Sequence, residues 1–247
     1  MNVSRTVKEN EPQLVRRIYD KSKEYQNVVD LTLGDPDIPT PAAVKAAANL
    51  ALEQNKTKYT ANAGIPALRE AIAKDVYKRT GLTYSIDEIA VTAGAMGALY
   101  LSTVSILNPG DEMIILEPHW PNYTNMVKMC GGVPRYINYL GEENLKNLTA
   151  NIEKTINNKT RAIIINSPSN PTGVVLPFEN LLEIAEIAKK YGLWVVTDEV
   201  YRTIVFDGSF RSILEIPDMK ERTILIDSLS KRFSMTGFRV GFVCDPK

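Results

Sequence analysis

Two serines, a lysine and a later arginine form the most chemically suggestive group in this sequence. Residues 228–231 read Ser-Leu-Ser-Lys, and Arg239 follows Lys231 by eight positions. A buried lysine can lose its proton and attack an aldehyde, while the hydroxyls of Ser228 and Ser230 beside a guanidinium suit a phosphate. An aldehyde and a phosphate on one small molecule indicate pyridoxal 5′-phosphate (PLP). Taken alone, so common a tetrapeptide is equally typical of a solvated turn.

A carboxylate at the end of an apolar run adds a second element of the same chemistry. Residues 193–198 predict a buried strand that ends at Asp198, and Tyr201 follows three positions later. The pyridine nitrogen of PLP, when protonated, pairs with a carboxylate and makes the ring an electron sink. We therefore assign Asp198 to the ring nitrogen and Tyr201 to the phenolic oxygen and the lysine nitrogen. The alternative for Asp198 is a helix N-cap.

The loop at 167–173 offers a third contact. It follows the apolar strand predicted at 161–166 and reads Ser-Pro-Ser-Asn-Pro-Thr-Gly, with a proline on each side of Asn170. The X-Pro bonds restrict this loop, and cis isomers are plausible in it. Asn170 is expected to donate a hydrogen bond to the phenolic oxygen of the cofactor.

With these residues in this order, the chain resembles the fold-type I PLP enzymes, and specifically the class I and II aminotransferases typified by aspartate aminotransferase. The resemblance covers essentially all 247 residues. It implies a Schiff base between PLP and Lys231, with Lys231, Asp198 and Tyr201 as the catalytic residues. It also implies that Asn170 contacts the substrate, and that Ser228, Ser230 and Arg239 bind the cofactor.

The resemblance implies further site positions that the residues alone do not. Gly34 matches a glycine whose backbone approaches the substrate carboxylate, and Trp120 matches the aromatic residue that stacks on the PLP ring. Gly94, Ala95 and Met96 match the phosphate-binding turn at a helix start. Tyr59 matches a tyrosine that reaches the cofactor phosphate of the neighbouring subunit. The resemblance therefore also implies a homodimer.

Each of these positions has a structural alternative. Trp120 is equally suited to packing in a core, and Tyr59 alone is typical of a surface tyrosine. Gly94 and Gly97 fit a closely packed strand-to-helix turn. Arg239 fits a surface ion pair of small energetic value. The combined pattern favours the PLP interpretation.

The function implied is amino-group transfer between an amino acid and a 2-oxo acid. Two alternatives stay open, namely a C–S β-lyase that uses the same apparatus and a PLP-binding protein without full catalytic competence. Members of the family continue well beyond the position of Lys247, into a carboxyl-terminal small domain with an arginine for the substrate carboxylate. We therefore expect this chain to be truncated or to be completed by a second chain.

Composition argues against several other functions. Lysines and arginines equal aspartates and glutamates at 29 each, so no net charge attracts nucleic acid or an anionic membrane. Cys130 and Cys244 lie far apart, and His119 is the single histidine, so we expect neither a metal site nor a disulfide framework. No apolar run indicates a signal peptide or a membrane span. We expect a cytoplasmic protein whose partners are small molecules.

The order of apolar runs predicts an α/β fold. Strands expected at 89–92, 112–117, 133–139, 161–166, 193–198, 223–228 and 240–244 alternate with helices at about 65–79, 95–106, 122–130 and 177–190. This alternation predicts the large domain of a type I PLP-transferase, a mainly parallel seven-stranded sheet with helices on both faces. We assign 48–247 to this domain and 1–47, with an amphipathic helix near 11–25, to an amino-terminal arm and part of the small domain.

Overall fold

A single seven-stranded sheet organises the chain. The computed structural model describes residues 2–9 and 14–246. The strands within them are β1 (Ile89–Ala93), β2 (Glu112–Glu117), β3 (Val133–Asn138), β4 (Thr160–Asn166), β5 (Trp194–Asp198), β6 (Thr223–Ser228) and β7 (Val240–Cys244). These are the seven predicted strands, with boundaries within one residue of the prediction. The α/β prediction is therefore confirmed.

The sheet is mixed but mainly parallel. Its strand order is β1-β7-β6-β5-β4-β2-β3. The strands β2, β3, β4, β5 and β6 pair in parallel, whereas β7 runs antiparallel to its neighbours β1 and β6. The carboxyl ends of β4, β5 and β6 consequently meet at one edge of the sheet, which is where α/β sheets bind ligands.

The helices include every one predicted in the large domain. They are α1 (Arg5–Glu9), α2 (Leu14–Ser22), α3 (Ala42–Glu53), α4 (Pro66–Thr80), α5 (Gly94–Ile106), α6 (Asn122–Met129), α7 (Glu142–Lys146), α8 (Leu148–Thr155), α9 (Phe178–Tyr191) and α10 (Leu229–Arg232). Of the amphipathic helix predicted near 11–25, residues 11–13 lie outside the described residues, and α2 occupies most of the remainder. The alanine-rich α3 was not predicted, and it runs through the domain boundary expected after residue 47.

Helices cover both faces of the sheet, because successive strand residues point to opposite sides. On one face, Ile163 and Val195 pack with Ile184 of α9 in a buried cluster that also includes residues of α8. On the other face, Ile164 and Val196 pack with helices α5 and α6. Helix α4 packs on the β1, β6 and β7 end of the sheet. The strands in the middle are therefore buried on both sides, which explains their continuous apolar character.

Helix α9 illustrates how the sequence specifies an element. Leu181, Ile184, Ala185 and Ala188 recur at helical spacing, and all four are buried. The helix ends at Gly192, whose φ of 62° lies in the left-handed region that glycine adopts without strain. The cap and the apolar face agree with the prediction, and the chain turns from here directly into β5.

Close backbone contact joins β7 to the start of α5. Gly241 lies opposite Thr92 on β1 and opposite Ser228 on β6. A Cβ atom at Gly241 would lie under 3.0 Å from backbone atoms of Gly94 and Ala95. The absence of a side chain at this position lets the first turn of α5 sit against the sheet, next to the strand end that carries Ser228.

We predict that Gly241→Ala destabilises the protein by about 3 kcal/mol, because its Cβ meets backbone that cannot move aside. Gly237→Ala is the matched control, since a Cβ there meets no atom within 4 Å. It should change stability by less than about 0.5 kcal/mol. Urea unfolding of both variants measures the difference, and equal effects would contradict the close-contact explanation.

Candidate active site

A cavity opens at the carboxyl edge of the parallel strands. Its volume is about 420 Å³, and its wall combines strand ends, the start of α5, the start of α6 and part of the amino-terminal segment. The predicted site residues in its lining are Gly34, Ala95, Met96, Trp120, Asn170, Asp198, Tyr201, Ser228, Ser230, Lys231 and Arg239. Only Gly94 and Tyr59 of the predicted set are not in this lining. The structure thus gathers residues that are up to 205 positions apart, from Gly34 to Arg239.

Asp198 is the buried acid of the cavity. Its side chain accepts a hydrogen bond from Tyr123 Oη at 2.8 Å and one from the backbone N–H of Val200 at 3.2 Å. Burial raises the pKa of Asp198 to about 6, and these two hydrogen bonds oppose that rise only in part. One oxygen of Asp198 caps the turn that follows β5, but no helix begins there as the N-cap alternative requires. Its second oxygen, however, is held in the wall of the cavity.

Lys231 lies on the short helix α10, immediately after the end of β6. Its Nζ donates a hydrogen bond to the carbonyl oxygen of Gly34. Burial lowers the pKa of Lys231, the nearby Asp35 carboxylate opposes this, and the Arg239 guanidinium adds to it. A lowered pKa leaves a larger fraction of the amine unprotonated near neutral pH, as a nucleophile or base requires.

Tyr201 and Asn170 lie beside the lysine. Asn170 Nδ2 approaches Tyr201 Oη at 3.5 Å, and Lys231 Nζ lies 5.8 Å from the centre of the Tyr201 ring. Asn166, at the end of β4, accepts a hydrogen bond from the Asn170 backbone N–H at 2.8 Å and donates one to the carbonyl oxygen of Asp198 at 3.0 Å. These bonds tie the loop 167–173 to the strand edge. The peptide bonds before Pro168 and Pro171 are both cis.

Hydroxyl, guanidinium and helix-start groups also line the cavity. Ser228 and Ser230 are buried, and Ser228 caps α10 by accepting from the Ser230 backbone N–H at 3.3 Å. Gly94 begins α5 with a φ of 70°. A Cβ there would overlap the Arg239 guanidinium, so the arginine lies directly against the turn. Free N–H groups at a helix start and a guanidinium both attract an anion.

Trp120 and His119 form part of the cavity wall before α6. The Trp120 ring meets the Tyr123 ring edge-on, with their centres 5.6 Å apart. His119 stacks on Tyr136, and its Nε2 lies 2.8 Å from Thr124 Oγ1. Burial lowers the pKa of His119. Trp120 therefore both packs against a neighbour and exposes a face to the cavity.

Tyr59 lies away from the other predicted residues. Its side chain is fully exposed, at 107% of the reference area. The structure therefore does not bring Tyr59 to the cavity of its own chain.

Tyr123 is the principal residue that the sequence interpretation missed. It is buried in the first turn of α6 and holds the carboxylate of Asp198. Burial, together with the charge of Asp198, raises its pKa far above the usual range. The available signal was its place at the start of the helix predicted at 122–130, three positions after Trp120.

The donor set of the cavity fits PLP. Two serine hydroxyls, a helix start and Arg239 suit a phosphate, and the buried carboxylate of Asp198 suits a protonated ring nitrogen. The amine of Lys231 lines the same cavity, with its Nζ 5.8 Å from the centre of the Tyr201 ring. Nowhere in residues 2–9 and 14–246 do three or more His, Cys, Asp or Glu side chains lie together as a metal site. Within the same residues, no helix is long and apolar enough to cross a membrane.

Comparisons with known proteins agree with this geometry. Residues 26–246 match the family described as aminotransferase class I and II. The chain is 43% identical over 241 residues to the putative aminotransferase YugH of Bacillus subtilis, covering 97% of this chain and 62% of that protein. It is 38% identical over 253 residues to an aspartate aminotransferase of Geobacillus stearothermophilus, covering 100% of this chain and 64% of that protein.

A solved structure is similar over the whole chain. The aspartate aminotransferase of Thermus thermophilus with maleate superposes with a TM-score of 0.92 at 36% identity, covering 100% of this chain and 65% of that one. The chain thus spans slightly less than two thirds of the length of these relatives.

The raised pKa of Asp198 predicts a pH dependence of stability. The carboxyl of Asp198 has a pKa of about 6 in the folded protein and 3.8 in the unfolded chain. Its protonated form therefore stabilises the fold, and this contribution is complete below pH 3.8. This contribution is lost as the pH rises through 6, and it amounts to about 3 kcal/mol. Without PLP, the stability of the wild type relative to Asp198→Asn should therefore decline between pH 4.5 and 7.5. Urea unfolding across this range measures it, and a constant difference would contradict the buried-acid assignment.

Proposed function

Because this chain belongs to the aminotransferase class I and II family, we propose that its cavity binds PLP and serves amino-group transfer between an amino acid and a 2-oxo acid. One observation carries the proposal. The buried acid Asp198 and the amine of Lys231, whose pKa is lowered, line the same cavity as Arg239 and as Ala95 and Met96 of the anion-attracting turn.

PLP, when bound, supplies an aldehyde that condenses with amines and a ring that accepts electrons from the carbon next to the amine. We assign the phosphate end to Ser228, Ser230, Arg239 and the turn at 94–96. Asp198 holds a proton at the ring nitrogen, because a buried carboxylate gains most from an adjacent positive charge. Trp120 provides an apolar face for stacking.

Lys231 is assigned the proton transfer. Its Nζ takes the proton from the substrate α-carbon, a task that its lowered pKa favours near neutral pH. Tyr201 and Asn170, which lie beside each other, are assigned hydrogen bonds to the phenolic oxygen. We place the backbone of Gly34 next to the substrate carboxylate, since this glycine lines the cavity and lies within hydrogen-bond distance of Lys231. The relatives described above are named aminotransferases, and no observation favours the C–S lyase alternative.

Assembly as a homodimer is the second part of the proposal. Tyr59 is fully exposed, and apolar side chains of the neighbouring helix α3 and of the following loop, Leu50, Leu52 and Ile65, are also about half exposed or more. Burying such a surface against a second copy is favourable. We propose that Tyr59 reaches the phosphate site of that copy. The division into a large domain at 48–247 and an arm at 1–47, and a cytoplasmic location, also remain predictions.

Covalent trapping tests the role of Lys231. PLP added to the purified protein should produce visible absorption, and borohydride should then attach the cofactor to the peptide that contains Lys231, because its amine lines the cavity. Lys231→Arg should abolish both signals. Lys220→Arg is the matched control, since Lys220 is paired with Glu88 outside the cavity. Attachment to another lysine would overturn the assignment.

The same preparation tests the reaction. Appearance of the new amino acid from a 2-oxo acid supports transfer, whereas release of thiol and pyruvate from cysteine conjugates supports the lyase alternative.

Mixed dimers test the role of Tyr59. Tyr59→Phe should weaken PLP binding about tenfold, because one hydrogen bond to a charged group is lost, while the protein stays a dimer in sedimentation. Tyr77→Phe, an exposed tyrosine on α4, is the control. Mixing Tyr59→Phe with Lys231→Ala subunits should restore one intact site in each mixed dimer. A monomer that binds PLP with full affinity would contradict the proposal.

A further inference from the structure

Behind the cavity, six charged side chains form an ionic cluster of three carboxylates and three guanidiniums. Its members are Asp75, Arg79, Glu199, Arg202, Asp227 and Arg232. Arg79 forms an ion pair with Glu199, and its Nη2 lies 3.6 Å from Asp227 Oδ2. Arg202 Nε donates to Asp227 at 2.8 Å. The ionic cluster is therefore neutral as a whole and extends across neighbouring elements.

Asp75 joins two of the guanidiniums. Its Oδ2 accepts from Arg202 Nη2 at 2.7 Å, and its Oδ1 accepts from Arg232 Nη1 at 2.7 Å. Arg79 lies one turn further along α4, with its Nε 3.9 Å from Asp75 Oδ2. Helix α4 therefore holds, through two side chains, segments that follow β5 and β6.

Four site residues are each the sequence neighbour of a cluster member. The pairs are Asp198 with Glu199, Tyr201 with Arg202, Ser228 with Asp227, and Lys231 with Arg232. In each pair one residue lines the cavity and the other belongs to the ionic cluster. A displacement of a cluster member would consequently move the backbone of a site residue.

Close packing does not hold this region by itself. A second cavity of about 220 Å³ lies beside the ionic cluster, and its lining includes Asp75, Arg202, Asp227 and Arg232. Burial raises the pKa values of Glu199 and Asp227, although their arginine partners oppose this. Replacing a buried ion network by apolar residues is often neutral or stabilising, so stability alone is a weak reason for such a cluster.

We propose that Asp75 and Arg79 of α4 are positioning residues, which hold the backbone of the four site residues through the ionic cluster. Neither residue lines the proposed PLP cavity, so neither touches cofactor or substrate. The inference rests on the proposed function. It means that this function also depends on helix α4, which lies outside the site. Side chains of a binding site keep their geometry only when surrounding residues hold them in place.

Asp75→Asn tests the proposal, because it keeps the shape of the side chain and removes its charge. The variant should weaken PLP binding about tenfold, the loss expected from one charge-assisted contact. In the protein without PLP, the pKa of Lys231 should rise toward its usual value, because a displaced α10 exposes the amine to water. The second readout is the NMR titration of ¹³C-methylated lysine, with the resonance assigned by Lys231→Arg.

Two further variants complete the design. Asp75→Glu keeps the charge and should retain most of the affinity. Glu112→Gln is the matched control, because Glu112 is a buried carboxylate that accepts from Asn157 at 2.8 Å, at the opposite end of the sheet. It should leave PLP binding and the Lys231 titration unchanged. If Asp75→Asn does not fold, Arg232→Gln breaks the same contact from the exposed side.

The outcomes separate this proposal from the proposed function. A folded Asp75→Asn variant with wild-type PLP affinity and wild-type Lys231 titration would overturn the positioning role of Asp75. The ionic cluster would then have only a structural role. If the wild type itself fails to bind PLP, the proposed function is wrong. The Lys231 titration then still decides whether Asp75 positions the lysine.

Discussion

The parallel alignment of β4, β5 and β6 is the constraint on which the rest of the structure depends. It brings Asn166, Asp198 and Ser228 to one edge of the sheet, and Asn166 pairs in register with Asp198. Because successive side chains of a strand point to opposite faces, Ser228 lines the cavity while Asp227 of the same strand lies 3.6 Å from Arg79 of α4. The chemical site and the ionic cluster behind it thus arise from the same strand ends.

The buried acids at this edge are stabilised in different ways. Glu199 and Asp227 pair with arginines, whereas the hydrogen bonds that reach Asp198 come from the neutral groups of Tyr123 and Val200. Burial raises the pKa of all three acids, to about 6 for Asp198, and the arginines oppose this rise at Glu199 and Asp227. A carboxylate held in this state gains free energy from an added positive charge, whereas a paired carboxylate gains little. This difference distinguishes a ligand-binding acid from two supporting acids that lie beside it.

Family membership and the geometry of the cavity both support the proposed function. The match to class I and II aminotransferases covers residues 26–246, and eleven of the predicted site residues line one cavity. The two agree at Lys231, which follows a buried strand and projects its amine into the cavity. Tyr59 is fully exposed and lies outside that cavity, which is why the proposed function includes a second copy of the chain.

The sequence by itself determined the seven strands, the helices α4, α5, α6 and α9, and eleven of the residues that line the cavity. Apolar periodicity and glycine at a helix end are local signals. Asp198 ends a predicted strand, and Lys231 and Asn170 come three and four positions after one. Only the tertiary structure identified Tyr123 as the partner of Asp198, and α4 as the source of Asp75 and Arg79 for the ionic cluster. Such contacts join residues about 75 to 160 positions apart. These contacts depend on how the helices pack against the sheet. A periodic pattern along the chain does not indicate which side chains meet across so long a stretch of sequence.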